Sequence, residues 1–198
     1  MPYWILVILW VLFYVSHTWL ASLNIKRKFK GWMGKGYIWY RLMYTLFSTG
    51  FIFGIFVFSS TISQIDILNK TPVITYLGYM LASFGTILVV RSFKSFSKKK
   101  FVGLIPHDDL DQKEDFIASG LHAYVRHPIY SGTVLIFIGF FFFEPTLSSI
   151  IHLIMLFLYL PFGIYFEEKK LIETYGEKYI VYKKRVPPLL PMLGKSAK

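Results

Sequence analysis

Cysteine is absent from the 198 residues. That excludes a disulfide, a thiolate metal site and a cysteine nucleophile, and it leaves the redox compartment unreadable. Acidic residues are scarce, 11 against 22 Lys and Arg. Internal repeats and low-complexity tracts are lacking as well. What the chain has in quantity is apolar surface: 55% of residues are hydrophobic and 20% aromatic. A soluble domain of this size carries less, so the composition points to a membrane protein with room for one compact helical bundle.

A helix that crosses a bilayer needs about 20 mostly apolar residues. Five runs qualify or nearly do: Pro2 to Ser22, Ile38 to Ile62, Pro72 to Val90, the short Ile129 to Phe143, and Leu147 to Phe166. The first has neither the charged leader nor the Ala-x-Ala-like cleavage site of a signal peptide. Only Glu144-Pro145-Thr146 separates the last two, which predicts a tight turn and an antiparallel helical hairpin. Of the 22 Lys and Arg, all but Lys70 fall on alternate loops: 23–41, 91–127 and the tail from 167. The positive-inside rule then puts those loops and the C-terminus in the cytoplasm and the N-terminus outside. The net charge of +11 is accounted for by topology and attraction to anionic lipid, not by a nucleic-acid footprint. The expected fold is an all-α integral membrane protein of about five transmembrane helices, a single domain over 1–198. Residues 1–93 supply three spans; 94–198 supply a polar loop, the hairpin and a tail that close a cytoplasmic pocket. The acidic stretch Asp108, Asp109, Asp111, Glu114, Asp115 is expected as a solvated loop.

The segment GLHAYVRHPIYSG, residues 120–132, stands at the start of the fourth run. Pro128 suits the first turn of a helix, and a residue before proline is pushed out of helical geometry, so the helix is predicted to begin at Pro128. Its free N–H groups attract an anion, and Arg126 adds a charge suited to a carboxylate or phosphate. On the tail, Glu168, Leu171, Ile172, Tyr175, Tyr179 and Tyr182 fall near one face of a helix. Glu167 and Glu168 sit where the fifth run ends. The hairpin returns the chain to the membrane face of Arg126, so an anion site and a cation site face each other, as an amino-acid-like ligand requires.

Gly120, Arg126-His127-Pro128, Tyr130 and Gly132, followed by Glu167-Glu168, Leu171, Gly176, Tyr179, Tyr182, Arg185-Val186-Pro187 and Pro191, together resemble the isoprenylcysteine carboxyl methyltransferase and phospholipid methyltransferase family over about 117–191. Further upstream, His17, Leu20-Ala21-Ser22, Tyr40-Arg41-Leu42-Met43-Tyr44 and Phe101-Val102-Gly103-Leu104 are similar to its bacterial branch, the methanethiol S-methyltransferases. The match departs at His122, where a tyrosine is usual. The resemblance implies an inner-membrane enzyme that uses S-adenosylmethionine, releases S-adenosylhomocysteine, and methylates a small thiol or a lipid-linked acceptor. It implies that Arg126 and the helix start take the cofactor carboxylate and Glu167 or Glu168 its ammonium. Tyr130 or Tyr124 would face the sulfonium. Ile117, Gly120, Leu121 and His122 would line the adenine. His127 or a tail glutamate is the candidate base, and Arg185 would steer an anionic acceptor. The competing readings are a haem or quinone protein using His17 and His152, and a transporter-like bundle. No metal site is expected, since His122 and His127 are five apart and have no cysteine partners.

Overall fold

The structure is a computed structural model and describes residues 2–95, 98–111 and 115–191. Lys113 and Glu114 of the acidic stretch, and the chain after 191, lie outside the described residues. Among those described there is no β-strand, and the helices are α1 (Pro2–Ala21), α2 (Leu23–Met33), α3 (Tyr40–Thr61), α4 (Pro72–Ser92), α5 (Lys98–Val102), α6 (Pro128–Phe143), α7 (Leu147–Tyr175) and α8 (Glu177–Arg185). Four stretches are long and apolar enough to cross a membrane: Pro2–Ala21, Leu23–Thr61, Pro72–Ser92 and Leu147–Tyr175. The 16-residue α6 is apolar but shorter. Trp4, Ile8, Phe53, Tyr76 and Phe84 point outward and exposed, as helices meeting hydrocarbon require.

Local chemistry explains the helix starts. Thr71 accepts a bond from the Ile74 N–H and Pro72 opens α4. Thr146 and Ser149 cap α7 reciprocally. Pro128 opens α6, with His127 outside the helix at φ −123°. One core gathers Leu6, Trp10 and Phe13 of α1, Ile55 of α3 and Met155 of α7. A second contact joins α4 to α6 through glycines. A Cβ on Gly85 would lie 2.5 Å from the Gly132 carbonyl oxygen, and one on Gly78 2.7 Å from that of Gly139. Backbones this close need small residues on both helices. At the far end Leu147 N–H bonds the Ile65 carbonyl at 2.8 Å, and Lys70 pairs with Glu144 at 2.8 Å.

Three expectations are revised. The basic segment 23–41, expected as a loop, folds into α2 and a helical turn over Gly34–Trp39. The tail is not one helix: α7 runs on to Tyr175, and Gly176 breaks it at φ 60° before α8 begins. Asp108 and Asp109 of the acidic stretch are docked rather than solvated. Asp109 is paired with a buried Lys26 and accepts from the Tyr37 hydroxyl at 2.8 Å, and Lys30 holds Asp108 at 2.7 Å and Asp111 at 2.6 Å. Burial pushes the Asp109 carboxyl up, but the Lys26 charge and these bonds bring it below its ordinary value.

Candidate active site

The turn into α6 is fixed by the end of the chain. Arg126 N–H bonds the Pro187 carbonyl at 2.8 Å, and His127 N–H bonds that of Pro188 at 3.0 Å. Ser131 Oγ donates to Leu189 O at 2.6 Å. The proline-rich stretch 187–191 cannot continue a helix, so its carbonyls are free to accept. Tyr182, on the buried face of α8, donates to the His122 carbonyl at 2.6 Å. Phe116 packs against Tyr175, Tyr179 and Tyr182. The two polar segments that flank α6 and α7 are thereby joined.

On this frame sits a buried charge network. Arg126 Nε donates to Glu168 Oε1 at 2.7 Å, with only 9% and 5% of the two side chains exposed. Arg126 Nη1 donates to the Lys183 carbonyl at 3.0 Å and to that of Val186. Lys183 Nζ reaches the other Glu168 oxygen at 2.6 Å. His127 lies between the two glutamates: Nε2 is 3.2 Å from Glu168 and Nδ1 3.5 Å from Glu167. Burial lowers the His127 pKa, but bonds to Glu167 and Glu168 outweigh it and hold the ring above its ordinary value. In its charged form the ring has a carboxylate facing each nitrogen. His122, also buried, is shifted the other way, by desolvation and then by the His127 charge.

Arg126, His127, Glu167, Glu168, Pro128 and Tyr130 are therefore brought together. The Tyr130 ring stacks on His127 at 5.4 Å, and Tyr130 helps hold the Glu167 carboxyl below its ordinary value. Ile117, Gly120, Leu121 and His122 form the adjoining turn, with Gly120 at φ 62°. Tyr124 is 52% exposed on that turn, and Arg185 is exposed in the last turn of α8. Arg126 and Glu168 meet each other directly instead of standing apart as two ends of a ligand site. Glu167 is the carboxylate left exposed beside the network. Lys183 enters the network although nothing in its local spacing marked it, and Tyr182, quoted for its helical face and the family pattern, anchors the adjoining turn. Their partners lie 15 and 60 residues away along the chain, a separation that no local pattern encodes.

The haem reading loses a ligand here. Trp10 Nε1–H, a donor only, bonds His152 Nδ1 at 2.8 Å, and Ser59 Oγ meets Nε2 at 3.0 Å. Both ring nitrogens are engaged, in a fully buried side chain. The two motifs quoted from the N-terminal half also meet. Arg41 Nε donates to the Phe101 carbonyl at 2.8 Å, and Gly103, at φ 85°, packs on the backbone of Leu42.

An all-helical chain with four helices long enough to span a bilayer, and a buried charge network at the end of one of them, is a helical membrane protein. A family described as phospholipid methyltransferase matches residues 73–178, more than half of the chain, and the chain belongs to that family. It is 30% identical over 136 residues to the methanethiol S-methyltransferase of Crocosphaera subtropica, covering 60% of this chain and 48% of that protein. It is 33% identical over 122 residues to that of Pseudomonas deceptionensis, covering 61% and 45%. To methanethiol S-methyltransferase 1 of Bradyrhizobium diazoefficiens the identity is 27% over 128 residues, covering 64% and 43%. The chain thus spans about half the length of the curated relatives it matches. No solved structure matches it.

Proposed function

We propose that the chain is a membrane-embedded S-adenosylmethionine-dependent methyltransferase, acting on a small thiol or on a lipid-linked acceptor, with S-adenosylhomocysteine as product. The observation that carries this reading is the Arg126–His127–Glu167–Glu168 network, built inside the matched family region. The donor set suits the cofactor's amino-acid end and sulfonium. Glu167 offers a carboxylate at the network's edge, and Tyr130 an aromatic face beside it. The Tyr179 hydroxyl, packed in the same layer, is buried without a hydrogen-bond partner among the described residues.

Bound there, S-adenosylmethionine supplies a methyl group on a sulfonium. Glu167 takes the ammonium, and Tyr130 faces the positive sulfur. The first-turn N–H groups of α6 and the Arg126 side of the network face the carboxylate. Because Arg126 is held by Glu168 and by tail carbonyls, its first role is to lock Pro128 and the tail in place; reaching a carboxylate directly requires that pair to open. Gly120, Leu121, His122 and Ile117 line the adenine, and Tyr124 covers its edge. In-line methyl transfer depends mainly on positioning. Arg185, exposed near the tail, steers an acceptor that carries negative charge.

The proposed setting is an inner membrane, with α1, α3, α4, α6 and α7 as five spans, the α6–α7 pair as a hairpin, the C-terminus cytoplasmic and the N-terminus outside. Calorimetry with S-adenosylhomocysteine on the folded protein in lipid tests the reading. Saturable binding supports it, and no binding at millimolar ligand overturns it.

A further inference from the structure

Residues 23–39 make a short closed excursion from the bundle. Ser22 alone separates α2 from α1, and the turn Gly34–Trp39 leads straight into α3. The Tyr40 hydroxyl donates to the Leu20 carbonyl at 2.8 Å, which ties the end of α1 to the start of α3. With both ends fixed to apolar helices, the 11-residue α2, about 16 Å long, cannot rise far from the end of the bundle.

The two sides of this excursion differ. Ile25 and Lys26 are buried against the protein. Of the five cations in the segment, three meet carboxylates: Lys26 pairs with Asp109, Lys30 with Asp108 and Asp111, and Arg27 with Glu173 of α7. Lys28 and Lys35 are exposed, and neither has an ion-pair partner among the described residues. Trp32, one turn beyond Lys28 on the same face, is 82% exposed. Ile38 and Trp39, at the end of the turn, are also exposed. Tryptophan on a membrane protein is favoured at headgroup level, where the ring meets acyl chains and the N–H meets polar groups. A lysine beside it lays its stem on apolar surface and its ammonium among phosphates.

We propose that the outer side of α2 and its turn, presented by Lys28, Trp32, Lys35 and Trp39, is a binding surface for the headgroups of anionic phospholipid. Charge selects the occupant. Residues 23–39 contain no Asp or Glu, so a zwitterionic headgroup would bring a cation with no carboxylate of the segment to receive it. A headgroup with net negative charge brings only the phosphate that the two lysines match. The surface lies outside the family-matched residues 73–178 and apart from the Arg126 network, so the lipid here is a partner of the fold and not the methyl acceptor. The helix that it holds at the bilayer is the one whose other cations clamp residues 108–111 and the end of α7.

The test uses the full chain in nanodiscs of mixed phosphatidylcholine and phosphatidylglycerol. The chain has no cysteine, and a Cβ at Gly31 meets nothing within 4 Å, so Gly31→Cys accepts a nitroxide label. Oxygen, concentrated in lipid, should relax that label more than an aqueous nickel chelate does. A label reached mainly by the nickel chelate places α2 in water and overturns the proposal. Selectivity is read by native mass spectrometry of the lipids that the protein retains from an equimolar mixture. Wild type should retain phosphatidylglycerol over phosphatidylcholine. Each juxtamembrane cation strengthens anionic-lipid binding about fivefold, so Lys28→Gln with Lys35→Gln should reduce the preference at least about tenfold. The charge-matched pair Lys169→Gln with Lys184→Gln, exposed on α7 and α8, should keep most of it. Equal losses in the two double variants make the preference one of net charge alone and overturn the proposal. So does a wild type that retains both lipids equally, a result that needs no variant. If the wild type shows no lipid preference but binds soluble polyglutamate through Lys28 and Lys35, the occupant is an acidic protein and the lipid assignment falls.

Discussion

Glu168 accepts from Arg126 and Lys183 and stands 3.2 Å from His127, all while 5% exposed. Glu168→Gln removes one charge and leaves three cationic groups facing each other. Breaking a buried pair from one side costs about 3–5 kcal/mol, so the variant should unfold at a clearly lower temperature in detergent and bind S-adenosylhomocysteine weakly. His127 makes a separate prediction. Its folded pKa is raised above the ordinary 6.5, so the stability it contributes is complete below about 6.5 and is lost as pH rises through the raised value. Wild type should therefore lose stability by this route as pH rises above about 6.5. His127→Gln should flatten that slope in a thermal-unfolding series. At this scale the sequence was partly legible. Arg-His-Pro and Glu-Glu stand out because each piece has a local physical reason. Lys183 and the Lys26–Asp109 pair do not, because their roles exist only once distant segments meet.

The α4–α6 contact is the tightest between elements. Gly85→Ala would push a methyl group into the Gly132 carbonyl, and overpacking of this kind costs about 1–3 kcal/mol. Gly54 on α3 has open space around it, and Gly54→Ala should be neutral or stabilising by up to about 1 kcal/mol. Unfolding of both variants in the same detergent checks the contrast. The helix starts at Pro72, Pro128 and Leu147 were readable from the bounds of the apolar runs and, at Pro128, from the proline. The break at Gly176 was not. A helical face from Glu168 to Tyr182 runs across it without interruption, and one interior glycine costs a helix only about 1 kcal/mol. The left-handed turn, fixed by tertiary contacts of Tyr179 and Tyr182 with Phe116, decides between one helix and two.

For the molecule as a whole, composition and hydropathy made the all-helical membrane class legible, because bilayer thickness sets the length of each apolar run. The sidedness of the loops rests on charge alone. With no native cysteine, a single introduced one reports cleanly. Lys70→Cys should react with an impermeant maleimide added from outside intact cells, and Lys184→Cys should react only after permeabilisation. The opposite pattern would invert the five-span topology.

The contacts of Arg126 also set an order in time. Its partners, Glu168 and the carbonyls of Lys183, Val186 and Pro187, lie 42 to 61 residues downstream. As a ribosome makes the chain, α6 emerges before any of them does. The charge network closes last, after α7 has been inserted and the tail released, and non-local closure of this kind is slow. A nascent chain stalled before Lys183 would leave Arg126 without its tail carbonyls.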